Sequence, residues 1–298
     1  MASIPSEFEE KEFEGPLYNQ LGSGTHLVWS PGQVFEEHVG IDYALMLCDP
    51  DLWQYFGSAG PVKGAFLHRY NWDFIWRRRR RRNLPNFRLN LFIQAKRSHY
   101  YRHRPRRLMS YLTKGSCWRF DIEDHQQEAL ERLAEKLGSR AVVCYAAPAF
   151  HRVSQLNAHT SRGSILPNSS FPSVSKLVGH KAFYYQVAGG NGVANADPTR
   201  IEGASLEEML QHLAKGHSDT SQNNPRGELK NLGEEVYKMV IEKVSDENPR
   251  KALYMESLRH EERFAQGIEG PTEAIVGFLR VLTFSLAFNC EWFVVSHA

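Results

Sequence analysis

Three side chains in this 298-residue sequence have types and spacing that could do chemistry together: Asp42, Gln94 and Lys96. Gln94 and Lys96 close the apolar run Leu89-Asn90-Leu91-Phe92-Ile93-Gln94-Ala95-Lys96, which reads as a buried strand. Residues i and i+2 of a strand point to one face, so the amide and the ammonium share a side. Asp42, after Gly40-Ile41, heads a second apolar stretch that runs to Cys48 and adds a carboxylate from a neighbouring strand. Such oxygens suit Mg²⁺ or Mn²⁺, and an adjacent ammonium can orient water and offset charge growing on a phosphate. That is the chemistry of phosphodiester cleavage.

The elements that must position these groups can be read along the chain. Ser6–Leu21 carries Phe8, Phe13, Leu17 and Leu21 and predicts a helix, broken or restarted at Gly15-Pro16. Val34–His38 predicts a short helix, and Ile41–Cys48 and Leu89–Lys96 predict strands. Ile122–Leu137 sets Ala129, Leu130, Leu133 and Leu137 on one helical stripe ended by Gly138, and the strand Ala141–Ala146 follows. Strand, strand, helix, strand is the order of a mixed sheet with a crossover helix. Ser154–Ser175 reads as loop, Ala182–Val187 as a strand and Gly189–Gly192 as a flexible run. Four helices are predicted beyond it: Leu206–Ala214, Leu229–Val244, Ala252–Gln266 and Thr272–Phe288. The expectation is an α/β fold, a mixed central sheet flanked by helices, with a helical C-terminal region. The division falls near residue 204, giving 1–204 and 205–298, with a basic insertion at about 50–88.

Charge is segregated along the sequence. From Lys63 to Arg119 there are seventeen Lys or Arg against one acid, Asp73, so this segment carries +16 of a chain total of +2 and the remainder carries −14. Like charges this dense repel unless a polyanion or an acidic partner offsets them. Trp72, Phe74, Trp76, Phe87, Tyr100 and Tyr101 are interleaved, and cations for phosphates with aromatic faces for bases suit nucleic acid. Arg77, Arg78, Arg79, Arg80, Arg81 and Arg82, with Arg97, Arg102 and Arg104, are the candidate contacts. A solvated loop or an acidic protein partner would account for the six-arginine run equally well.

Other classes are disfavoured. Cys48, Cys117, Cys144 and Cys290 lie far apart, which argues against a zinc site or a disulfide framework and for reduced thiols of a cytoplasmic protein. Met1–Glu14 is polar and acidic and does not read as a secretion signal. Val281–Val295 is too short for a membrane span and contains Asn289 and Glu291, so it reads as a buried element. His99 and His103, four apart, could face one way on a helix as a metal pair, although surface or phosphate-contact roles suit them better among so many arginines.

Gly-x-Asp at Asp42, followed by an apolar strand ending Ile93-Gln94-Ala95-Lys96-Arg97, resembles the Mrr-like branch of the PD-(D/E)xK restriction-endonuclease superfamily over roughly residues 8–150. The resemblance implies a restriction-endonuclease-like core, Mg²⁺ or Mn²⁺, and DNA cleavage in restriction or antiphage defence, with RNA left open as a substrate. It also implies a glutamate on the first helix, for which Glu14 is the match, and Gln126 or Gln127 opening the helix after the lysine. Because Gln94 is neutral, a further acid is needed, and Glu36 or Glu37 lies on the approach to Asp42. Metal ligands are therefore expected among Asp42, Gln94, Glu14 and Glu37, with Lys96 acting on the water. The C-terminal helices offer a surface for an activator or for homo-oligomerisation.

Singly, each residue has a plainer role. Asp42 could cap a turn, Gln94 could satisfy a buried carbonyl, and Lys96 could end its strand in water. The rival functions are a non-catalytic nucleic-acid-binding protein that keeps the fold, and a subunit that docks its basic block on an acidic partner.

Overall fold

The computed structural model describes residues 3–23, 27–29, 88–113, 115–215, 224–266 and 272–296. Asp42, Glu36, Glu37, the predicted helix Val34–His38, the predicted strand Ile41–Cys48, Arg77–Arg82 and all of the basic insertion but Arg88 lie outside them.

The protein is α/β, with a mixed sheet, a second antiparallel sheet and flanking helices. The mixed sheet contains β1 (Leu27–Trp29), β2 (Asn90–Ala95), β5 (Ala141–Pro148), the two-residue β6 (Ser169–Ser170) and β10 (Glu291–Ser296), in the order β1-β10-β2-β5-β6. The other sheet is β3 (His99–Tyr101), β4 (Cys117–Asp121), β7 (Ala182–Tyr185), β8 (Gly192–Asn195) and β9 (Thr199–Ile201). β2 and β5 run parallel, Phe92 opposite Val143 and Gln94 opposite Tyr145. The connection between them leaves to form β3 and β4 and returns through α2 (Asp124–Leu137).

β2 is buried along its whole length because both faces are covered. Leu91, Ile93 and Ala95 pack with Phe13, Leu17 and Leu21 of α1 (Glu10–Ser23). Phe92 packs on the other face with Leu130 and Leu133 of α2 and with Trp292 of β10. α1 runs through Pro16 instead of restarting there. An interior proline costs a helix roughly 3 kcal/mol. Burying Phe13, Leu17 and Leu21 returns about 1.5–3 kcal/mol each, which outweighs that loss.

The C-terminal helices are α4 (Leu206–Lys215), α5 (Pro225–Lys243), α6 (Pro249–Gln266) and α7 (Thr272–Ala287), as the periodicity predicts. α7, apolar on most faces, is covered within the protein by α5 and α6. Where α5 crosses α7, a Cβ on Gly233 would overlap the Cα of Gly277, and one on Gly277 would lie 2.5 Å from the Leu229 carbonyl oxygen.

Three expectations need correction. Ser154–Ser175 is not a loop: it contains α3 (Val153–Ser161), two 3₁₀ turns and β6, held by local bonds such as Thr160 Oγ1 to the Leu156 carbonyl at 2.8 Å. Gly192 belongs to β8, in a sheet too short-stranded to show a period in the sequence. Val281–Val295 is two elements. Asn289 takes a left-handed φ of 53°, and the Cys290 N–H returns to the Ser285 carbonyl at 2.9 Å, which ends α7 and starts β10. β10 then pairs with β2, so the last strand of the chain joins the sheet of its first half.

Candidate active site

The strand period carries through. Lys96 continues the ladder one residue past β2, its N–H donating to the Ala146 carbonyl at 2.8 Å. Phe92, Gln94 and Lys96 therefore share the α2 side of the sheet. Gln94 is fully buried and Lys96 is 3% exposed. A lysine ending its strand in water is thus excluded, and so is a glutamine that bonds a backbone carbonyl.

Gln126, in the first turn of α2, gathers both. Its Oε1 accepts from Gln94 Nε2 and, at 2.7 Å, from Lys96 Nζ. Lys96 Nζ also faces Glu123 Oε1 at 3.4 Å, and Arg250 of α6 reaches the other oxygen of Glu123 at 3.6 Å. An ammonium taken out of water costs several kcal/mol unless it is paired. Here the pairing is an amide oxygen and a carboxylate that is itself 59% exposed, so one partner stays open to solvent.

Gln94 Oε1 is buried and has no hydrogen-bond partner. Leaving an acceptor so costs about 1–3 kcal/mol. The Nε2 bond to Gln126 fixes which end of the amide is spent and which is left over.

Two carboxylates of α1 stand nearby, and the sequence singles out the less favourable one. Glu14 is bound by Lys11 at 2.6 Å and lies on the helix that covers the opposite face of β2 from Gln94. Glu10 sits where the layers meet, at the end of β2. Its Oε2 accepts from the Arg97 N–H at 3.3 Å and its Oε1 from Asn289 Nδ2 at 3.2 Å. Burial pushes the Glu10 carboxyl above the usual range, while Lys96 and the Arg97 N–H draw it back down; Glu14 and Glu123 add to the rise. Behind this group, Tyr145 donates to Gln127 Oε1 at 2.5 Å and Gln127 donates to Glu131 at 2.5 Å, a second buried polar row on α2.

Among the described residues, no three His, Cys, Asp or Glu side chains converge as a metal group. Gln94 Oε1 and the Glu10 carboxylate are oxygens of the kind that hard divalent cations take, and Asp42 lies outside the described residues. Glu10, Glu123 and the bridging role of Gln126 escape sequence reading because they depend on packing between distant segments. Gln126 alone leaves a trace: it falls in line with Leu130, Leu133 and Leu137, a polar residue on an apolar stripe.

The predicted phosphate contacts divide. Arg97 is spent internally, on Glu9 at 2.8 Å and on the Ser6 carbonyl at 2.6 Å, and Arg104 donates to the Leu112 carbonyl. Arg102 is exposed. His99 lies in β3 and His103 beyond it, so no helix pairs them. Cys117, Cys144 and Cys290 are buried free thiols, and burial pushes the Cys144 thiol up to about 12. No described helix is long and apolar enough to cross a membrane. The chain matches no protein-family model, no curated protein and no solved structure.

Proposed function

We propose that the protein is a metal-dependent endonuclease of the PD-(D/E)xK type, cutting DNA in the cytoplasm as a restriction or antiphage-defence effector. One observation carries the reading: a buried ammonium and a buried, unpartnered amide oxygen stand two residues apart on one face of a strand, both anchored to Gln126. A structural glutamine would have both ends bonded.

Gln94 Oε1, Glu10 and Asp42 would hold Mg²⁺ or Mn²⁺, with Glu37 as a further acid in place of Glu14, which Lys11 already binds. Bound there, the cation supplies Lewis acidity toward a phosphate oxygen. Lys96 has three N–H donors, of which Gln126 and Glu123 take two. The third can orient the attacking water and offset charge as it grows on the phosphate. Gln126 keeps the ammonium and the amide in register, so neither must reorganise during the reaction. Glu123 links this group to Arg250 on α6, which gives the C-terminal helices a route by which an activator or self-assembly could act on Lys96.

The test is supercoiled plasmid, with RNA in parallel, incubated with Mg²⁺, Mn²⁺ or EDTA. The wild type should nick DNA only with metal, and Lys96→Ala and Gln94→Leu should not. Cleavage in EDTA, or an unimpaired Lys96→Ala, overturns the assignment. Metal-dependent cleavage confined to RNA would move the substrate. Salt-sensitive DNA binding with no cleavage under any metal would favour the binding module instead.

A further inference from the structure

From Ser98 to Phe120 the chain contains no Asp or Glu, while it carries Arg102, Arg104, Arg106, Arg107, Lys114 and Arg119. This is the connection between β3 and β4, and it is built as a fixed platform. Leu108 and Leu112 are buried with Cys117, Ala182, Tyr184 and Val193 against the outer face of the antiparallel sheet. The Arg104 N–H donates to the Gly115 carbonyl at 2.6 Å, and Gln186 Oε1 accepts from the Thr113 N–H at 2.8 Å. Arg106–Leu108 forms a 3₁₀ turn on this base, and the Tyr184 hydroxyl bonds Arg107.

The cations it carries divide into two kinds. Arg104 and Arg119 serve the fold, Arg119 through Tyr101 and Asp121. Arg102, Arg106 and Arg107 are exposed and form no ion pair with a described residue. Guanidiniums that lack a carboxylate partner repel one another where they share a base. A row of phosphates relieves that repulsion, and each guanidinium can grip one phosphate with two parallel N–H donors.

We infer that Arg102, Arg106 and Arg107 form a ridge that binds the phosphate backbone of a nucleic acid beside the candidate active site. The inference rests on the nuclease reading only for its purpose; the binding itself needs no cleavage. Six residues separate Lys96 from Arg102, so the two lie within about 20 Å of each other even on a fully extended chain. At about 3.4 Å per step, that is roughly six steps of one strand. The separation between the ridge and Lys96 is thus within the span of one bound duplex.

The experiment is fluorescence anisotropy of the full chain with a labelled duplex of about 30 base pairs, in EDTA, across about 50–200 mM salt. The variant is Arg102→Ala with Arg106→Ala, which leaves the Arg107–Tyr184 bond in place. Arg132→Ala is the control, an arginine of α2 paired with Glu135. Loss of two phosphate contacts lowers the slope of log affinity against log salt by about 1.8, so the wild-type advantage shrinks about tenfold across that range. Unchanged slope and affinity in the double variant overturn the ridge. So does loss of binding to phosphatidylserine vesicles with duplex binding intact, which would make this a membrane-surface contact. A lowered slope in a protein that never nicks plasmid keeps the ridge and removes the nuclease.

Discussion

At the end of β2, Gln94, Lys96, Gln126, Glu123 and Glu10 are gathered partly or wholly out of water, with one amide oxygen left unbonded. Where α5 crosses α7, Gly233 and Gly277 bring two backbones together with no room for a methyl group. Both regions are interior, yet they are built to opposite ends. The helix crossing is tightly closed: a methyl group added at Gly233 or Gly277 meets the backbone of the other helix. The polar group is unsaturated: it tolerates an unmet acceptor and a carboxylate half in water. Close packing marks the first and unused bonding capacity the second.

The largest effect should come from removing the ammonium. Lys96→Ala is expected to lower plasmid nicking by about 10²–10³-fold, the range for losing one preorganised charge donor, while circular dichroism keeps the wild-type shape. Equal loss of nicking and of folded signal would mean that Lys96 is only structural. The helix crossing should answer in the reverse way. Gly277→Val forces a side chain toward the Leu229 carbonyl and should destabilise by about 1–3 kcal/mol, with a drop in Tm of several degrees and unchanged nicking per folded molecule. An unshifted Tm would show that the helices separate freely and that the crossing is not tightly closed.

How far the sequence anticipates this contrast can be judged residue by residue. The shared face of Gln94 and Lys96 is legible because a strand has period two, and the four C-terminal helices because their apolar positions recur at helical spacing. Glu10 is not legible. It stands among Glu7, Glu9, Glu12 and Glu14, and contacts from distant segments, the Arg97 N–H and Asn289, distinguish it. β3, β4, β8 and β9 are three to five residues long, shorter than the window in which alternation can be recognised. β10 is concealed because its apolar residues continue those of α7, and the separating signal is one residue, Asn289, in a left-handed turn.

Gln126→Leu sharpens the comparison from inside the polar group. It strands Gln94 Nε2 and Lys96 Nζ without a shared acceptor and should cost about 1–3 kcal/mol in chemical denaturation, together with most of the nicking. Gln126→Glu, which keeps an acceptor at that place, should restore stability more than leucine does. If leucine is neutral, the amide bridge contributes nothing. The smallest effect belongs to Glu10. Its folded-state carboxyl is raised, so the native protein holds that proton more tightly than the unfolded chain. The stability this contributes is fully present below the ordinary glutamate value of 4.5 and is lost as pH rises through the raised folded value. Relative to Glu10→Gln, the wild type should therefore weaken across that window in denaturation at stepped pH. Parallel pH profiles for the two proteins would place Glu10 in ordinary solvent.

The register of β10 on β2 sets Trp292 opposite Phe92, two hundred residues away along the chain. Closing so large a loop is entropically expensive and slow. Until that closure, β2 shows an unpaired apolar edge, an invitation to neighbouring chains. Renaturation from denaturant should therefore depend strongly on dilution, with crowded samples precipitating before β10 arrives.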